Sequence, residues 1–116
     1  MENKKIIKNK LKLLINDILS KDYDSIVKNG YISSDEIEYF KKVIEQYPIP
    51  LTVPPEDAFE RLEYIEITSS KRHPKKWHLD FDLWDEAGLG DLTLSFEITE
   101  TEKKDIKIAI KDLRVL

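Results

Sequence analysis

At 116 residues the chain has the length of one ordinary domain, and with 41% hydrophobic residues it can build a single core without metals or crosslinks. It has no cysteine, which excludes disulfides, zinc–thiolate centres and cysteine nucleophiles and fits a reducing compartment, so the cytoplasm is the expected location. A net charge of −4 disfavours general binding to a nucleic-acid backbone, and no apolar run approaches the roughly 20 residues of a membrane span.

The first segment reads as a helix. Ile7, Leu11, Leu14, Ile15 and Ile18 recur at helical spacing to make one apolar stripe, while Lys5, Lys8, Lys12 and Asn16 lie away from it. The lysines at its start lead into neither a continuous apolar segment nor a small-residue cleavage site, so no signal peptide is expected. Asp22 is the expected N-cap of a short second helix over Tyr23 to Asn29, stopped by Gly30. Ser33 and Glu36 match a capping box, with Ile32 and Ile37 at the positions of a hydrophobic staple. The third helix that follows should line one face with Ile37, Phe40, Ile44 and Tyr47 and end at Pro48. Pro48 to Pro55 holds four of the five prolines and must run extended. Pro55 at a first helical position, followed by Glu56 and Asp57, opens a fourth helix to about Leu62.

Beyond Tyr64 the period changes from 3.6 to 2. Ile65 and Ile67 alternate with Glu66 and Thr68. Trp77, Leu79, Phe81 and Leu83 alternate with His78, Asp80, Asp82 and Trp84. Leu92, Leu94, Phe96 and Ile98 alternate with Thr93, Ser95, Glu97 and Thr99, and Ile106, Ile108 and Ile110 alternate with Lys107, Ala109 and Lys111. Four half-buried strands joined by short loops predict an antiparallel meander with one wet face. After Lys111 the apolar positions shift to Leu113 and Val115, which places a bulge near Asp112 or takes the strand out of the sheet. Helices first and strands last give an α+β domain over residues 1–116, with the N-terminal helices on one face of the four-stranded meander.

The candidate chemistry lies on the wet side of the second strand. His78, Asp80, Asp82 and Trp84 point the same way, and Thr93, Ser95, Glu97 and Thr99 are expected opposite. Carboxylates beside a histidine suit a divalent cation or an acid/base pair. The preferred reading is a solvated face whose acids pair with Lys107 and Lys111, because no metal-ligand motif is matched. Trp84, Asp85 and Glu86 end the strand at a turn closed by Gly88 and Gly90, and an aromatic among acids there suits a partner-binding edge. The candidate binding residues are therefore Trp84, Asp85, Glu86, His78, Asp80 and Asp82, with no catalytic residue and no metal site assigned. The basic run Lys71-Arg72-His73-Pro74-Lys75-Lys76 reads as a solubilising hairpin loop rather than a phosphate contact. With three glycines in the chain there is no phosphate-binding glycine-rich loop, and no hydrolase, zinc-protease or calcium-loop motif occurs. No cofactor is expected.

Val53-Pro54-Pro55-Glu56-Asp57-Ala58-Phe59, the block from Trp77 through Asp82-Leu83-Trp84-Asp85-Glu86 to Gly90-Asp91-Leu92-Thr93-Leu94, and the terminal Ile110-Lys111-Asp112-Leu113-Arg114-Val115-Leu116 together resemble an uncharacterised family of short bacterial proteins, a domain of unknown function. The resemblance runs from about Asp22 to Leu116, is strongest over Trp77–Leu94, and implies no catalytic residue. More distantly, the first helix running into Asp22-Tyr23-Asp24 is similar to the opening of nuclear transport factor 2-like domains, which implies helices packed on a curved antiparallel sheet of that or a cystatin-like kind.

The expected function is a non-enzymatic cytoplasmic binding or interaction protein. An immunity-type protein, whose acidic surface blocks a basic protein partner, is the specific version. Nucleic acid and membrane are not expected partners, and a homodimer is left open by the edge strands. The alternative is a small-ligand-binding or hydrolytic domain with a pocket between sheet and helices that uses His78, Asp80 or Asp82.

Overall fold

The computed structural model describes residues 3–67 and 74–115. The apolar stripe winds as α1 (Lys4–Leu19), and its five spaced residues, Ile7, Leu11, Leu14, Ile15 and Ile18, are all buried. α2 (Tyr23–Lys28) starts at the expected cap: the Asp22 carboxylate accepts a hydrogen bond from the Ser25 N–H at 3.2 Å. It stops one residue before Asn29, and Gly30 takes the left-handed turn at φ +79°.

α3 (Ile37–Gln46) corrects the reading of its N-terminus. A turn over residues 34–36, closed by the Glu36 N–H donating to the Ser33 carbonyl at 3.1 Å, precedes the helix. Glu36 is itself the N-cap and makes no side-chain cap bond, so the capping box does not form and Ile32 and Ile37 are not staple residues. Ile32 is buried all the same, as are Phe40 and Ile44 on the inner face of α3. Tyr47 is half-buried at the helix end, where Pro48 follows.

The proline segment contains a two-residue strand, β1 (Leu51–Thr52), which the prolines hid at the sequence level. Its place at a sheet edge is where prolines are tolerated. α4 (Glu56–Glu60) is shorter than expected, and Pro55 is its N-cap rather than its first helical residue. α4 is fixed from two sides. Phe59 stacks on Phe81 of the sheet with ring centroids 5.2 Å apart. From α1, Lys12 bonds both oxygens of Glu56 at 2.7 and 2.8 Å, and Lys8 reaches Glu56 and Glu60. The Lys12 and Lys8 hydrogen bonds hold the Glu56 carboxyl down at about 2.

β2 (Ile65–Glu66), β3 (Lys75–Asp85), β4 (Gly88–Glu100) and β5 (Ile106–Val115) complete an antiparallel sheet. β3, β4 and β5 lie in sequence order, and β1 and β2 pair with the same outer edge of β3 at opposite ends: Leu51 stands opposite Asp85 and Ile65 opposite His78. The expected meander is therefore present with one short strand added, and the fold class is α+β.

The register explains which face is dry. Residues directly opposite on paired strands share a face. Leu79, Phe96 and Ile110 form one row across the sheet, and Phe81, Leu94 and Leu113 form the next; all six are buried in one cluster with the inner residues of the helices. Leu92, Leu94, Phe96 and Ile98 are fully enclosed, and enclosing one such side chain is worth about 1.5–3 kcal/mol. The shift of pattern after Lys111 is a bulge. Ser95 pairs with Asp112 and Phe96 with Ile110, so Lys111 is the extra residue and Leu113 turns back to the core.

Two expectations about the sheet are corrected. Ile65 and Ile67 do not face the core; Ile65, opposite His78, shares the outer face and is 59% exposed, and Ile67 is 51% exposed. The strand was too short, two residues, for alternation to say which side is inward. Lys75 and Lys76 belong to β3 rather than to a loop, while Lys71, Arg72 and His73 lie outside the described residues.

Candidate functional site

The helices cover one face of the sheet, and the other presents the residues singled out above. Thr93 is opposite Asp82, Ser95 opposite Asp80, and Glu97 opposite His78, as expected from the alternation. β5 adds Asp112 beside Ser95 and Arg114 beside Thr93. These side chains are joined. Asp80 Oδ1 accepts from the Ser95 hydroxyl at 2.7 Å and contacts His78 Nε2 at 2.8 Å, and Arg114 approaches Asp80 Oδ2 at 3.7 Å. The Ser95 bond, then the His78 contact and the charge of Arg114, hold the Asp80 carboxyl below its ordinary range. Asp82 Oδ1 accepts from the Thr93 hydroxyl at 2.6 Å, and Lys76 pairs with Glu97 at 3.0 Å. The acids are thus paired, but with Ser95, Thr93, Arg114 and Lys76 rather than with the expected Lys107 and Lys111. Thr93 and Ser95 are nearly enclosed by their larger neighbours, at 3% and 2% exposure.

The order of groups bears on chemistry. A serine nucleophile needs the imidazole between hydroxyl and carboxylate, so that the ring takes the proton. Here Asp80 stands between Ser95 and His78, and Ser95 donates to the acid instead of to the ring. Asp80, with its carboxyl held low, is also a weak proton acceptor at neutral pH. Among the described residues no three histidine or acidic side chains converge to hold a metal ion. His78, Asp80 and Asp82 lie on the side of the sheet away from the helices, so the alternative of a ligand or hydrolytic pocket between sheet and helices built on these residues is not the geometry found.

Trp84 is half-buried on this outer face, opposite Thr52 on one side and Leu89 on the other, and Leu89 is 60% exposed. Asp85, next in the chain, points inward and is 5% exposed. Its Oδ2 accepts from the Tyr47 hydroxyl at 2.6 Å and its Oδ1 from the Ala87 N–H at 2.8 Å. The Tyr47 oxygen in turn accepts from the Asp91 N–H at 3.0 Å, and the bond to Asp85 pushes the Tyr47 phenol up. The Glu86 N–H donates to the Pro50 carbonyl at 3.1 Å while its side chain is exposed. Gly90 closes the knot: a Cβ there would stand 2.7 Å from the Leu83 carbonyl oxygen and 3.1 Å from the Tyr47 hydroxyl. Of the turn residues proposed for binding, Trp84 and Glu86 present surface, and Asp85 ties the β3–β4 turn to the end of α3.

A family model described as "Domain of unknown function (DUF7668)" matches residues 15–116. The chain belongs to that family. No curated protein and no solved structure matches it. The matched span takes in all six candidate residues, the knot around Asp85 and the whole sheet, so the family's domain includes the outer face described above. No helix among the described residues is long and apolar enough to cross a membrane.

Sequence reasoning missed four contributors to this face. Ile65 and Ile67 were assigned to the core. Arg114 was passed over because the bulge had to be resolved before its side could be known. Leu89 sits in the turn region, where no alternation marks a face.

Proposed function

We propose that the chain is a non-enzymatic, cytoplasmic binding protein that docks a protein partner on the uncovered face of its sheet. The reading rests on one observation: exposed apolar side chains flank the polar centre of that face at both ends, Ile65 beside His78 with Ile67 next to Lys76, and Leu89 beside Trp84. Solvated sheet faces rarely carry such side chains at both ends of a paired charged centre, whereas docking faces combine aromatic and aliphatic anchors with charges that set register. The exposed acid of Asp80 and of Glu86, together with an absence of lysine and arginine from residues 79–102, supports a partner with basic residues at its contact surface, as in an immunity-type pair of bacterial origin. The paired state of Asp80 with Ser95, His78 and Arg114 supports a binding rather than a catalytic role. Nucleic acid fits a chain of net charge −4 poorly.

The test is capture from the native host with the purified chain at low and moderate salt, run beside the Ile65→Ser/Ile67→Ser and Trp84→Ala variants. The expected result is a basic protein retained by the native chain, lost with either variant, and recovered more slowly as salt rises. A partner retained equally by both variants would place the interface elsewhere and refute the reading. Light scattering of the purified chain separates a homodimer through the same face, which the same variants would dissolve.

A further inference from the structure

A groove of about 300 Å³ opens on the far side of the molecule from Trp84, where the start of α3 passes the end of β5. Its floor is apolar: Ile32, Phe40, Ile110 and Leu113, each in contact with the main core. Its back is closed by the Ile110 N–H donating to the Tyr31 carbonyl at 2.7 Å, which pins the α2–α3 connection to the strand. Its rim is charged and aromatic. Asp35 and Glu36 stand on the α3 side with Tyr39, which is 66% exposed, and Asp112 and Lys111 stand on the strand side. The turn over 34–36 that displaces the capping box puts Asp35 and Glu36 there, and the β5 bulge brings Lys111 and Asp112 to the opposite lip.

The floor side chains are only 2–9% exposed, so the groove is a concave apolar bottom whose exposed apolar area is the Tyr39 ring at its mouth, 66% exposed. Lys111 stands on the strand lip and Arg114 lies 3.9 Å from Asp112, so the uncompensated negative charge is that of Asp35 and Glu36 on the α3 lip, where Tyr39 is available to cover a cation. We propose that this groove receives one aliphatic or aromatic side chain of a protein segment that carries lysine or arginine immediately beside it. The apolar side chain fills the floor over Phe40 and Leu113, and the basic neighbour pairs with Asp35 or Glu36 beside the Tyr39 ring. An acidic or uncharged segment gains only the apolar term. The site shares none of Trp84, Ile65 or Ile67 with the outer-face reading and only Asp112 with that face, so with Asp112 left native either can fail without the other.

The experiment is selection of a displayed random heptapeptide library on the full chain, in parallel with the Asp35→Lys/Glu36→Lys variant and the Ile65→Ser/Ile67→Ser variant. All four altered side chains are exposed, and circular dichroism of each variant checks the fold. The expected consensus is a large apolar residue next to lysine or arginine. A peptide of that consensus should shift the amide resonances of residues 32–40 and 110–113, bind the Asp35→Lys/Glu36→Lys chain at least tenfold more weakly, and bind the Ile65→Ser/Ile67→Ser chain unchanged. Consensus peptides without a basic residue, shifts confined to the outer face, or equal binding to the charge-reversed chain would each overturn the proposal. So would displacement of the peptide by arginine amide at equal concentration, which would assign the groove to small cations instead.

Discussion

Replacing Asp85 by alanine tests whether the β3–β4 turn is a structural knot or an exposed binding edge. The carboxylate is 5% exposed and accepts two hydrogen bonds, from the Tyr47 hydroxyl at 2.6 Å and the Ala87 N–H at 2.8 Å. Hydrogen bonds to a charged group contribute about 1.5–3 kcal/mol each, and the bond to Ala87, local to an exposed turn, belongs at or below the low end. The expected loss is about 2–4 kcal/mol, against a total stability of roughly 6–17 kcal/mol for a chain of this length. The variant should therefore stay folded, with Tm lowered by about 8–16 °C. Urea unfolding followed by the fluorescence of Trp77 and Trp84 measures it directly. Tyr47→Phe removes one of the two bonds, and a double-mutant cycle between positions 47 and 85 should give a coupling of about 1–2 kcal/mol. An Asp85→Ala chain within 0.5 kcal/mol of the native one, or a coupling near zero, would refute the structural role and return Asp85 to the list of surface contacts.

Gly90→Ala should cost about 1–3 kcal/mol in the same assay, since its Cβ would stand 2.7 Å from the Leu83 carbonyl and something must shift. Ile65→Ser and Ile67→Ser should change stability by less than about 0.5 kcal/mol, while Leu94→Ala, fully enclosed in the core, should cost about 2–5 kcal/mol; equal costs would invert the assignment of faces. Asp80→Asn should destabilise by about 0.5–1.5 kcal/mol at neutral pH. Because the folded-state carboxyl of Asp80 is held below its ordinary range, its contribution is complete above about pH 4 and fades as pH falls through the depressed value, so native and variant chains should converge in acid denaturation. Convergence at high pH instead would have the sign wrong.

How much of this was legible beforehand depends on the distance over which each feature is encoded. The buried stripe of α1, Ile7, Leu11, Leu14, Ile15 and Ile18, could be read because sixteen residues of periodic pattern average out local noise. The long strands could be read for the same reason, including the displaced pattern that turned out to be the bulge at Lys111. Short elements could not. Ser33 and Glu36 satisfy a capping motif, yet a tight turn used the same residues, since the motif specifies spacing and not the backbone that follows. Ile65 and Ile67 looked like core, but in a strand two residues long the inward side is fixed only by the partner, and the partner is His78, thirteen positions on. The contact of Tyr47 with Asp85 spans 38 positions and leaves no local trace. On the candidate site, His78, Asp80 and Asp82 were placed correctly beside Ser95 and Thr93, whereas Arg114, on whose charge Asp80 draws, needed the bulge to be located first.

The extra residue in β5 works like a frameshift in the parity of the strand. Upstream of it even-numbered side chains look inward; downstream, odd-numbered ones do, which is how Leu113 seals the interior while Asp112 and Arg114 stand with Asp80. Removing Lys111 alone would make the rhythm uniform from Ile106 to Arg114 and leave Leu113 opposite Leu94 in the interior and Arg114 outside, so that only the local bend and twist of the extra residue are lost. A deletion of Lys111 should therefore be far better tolerated than a deletion of Glu97 in β4, where no spare residue absorbs the change and the side chains beyond it must trade faces.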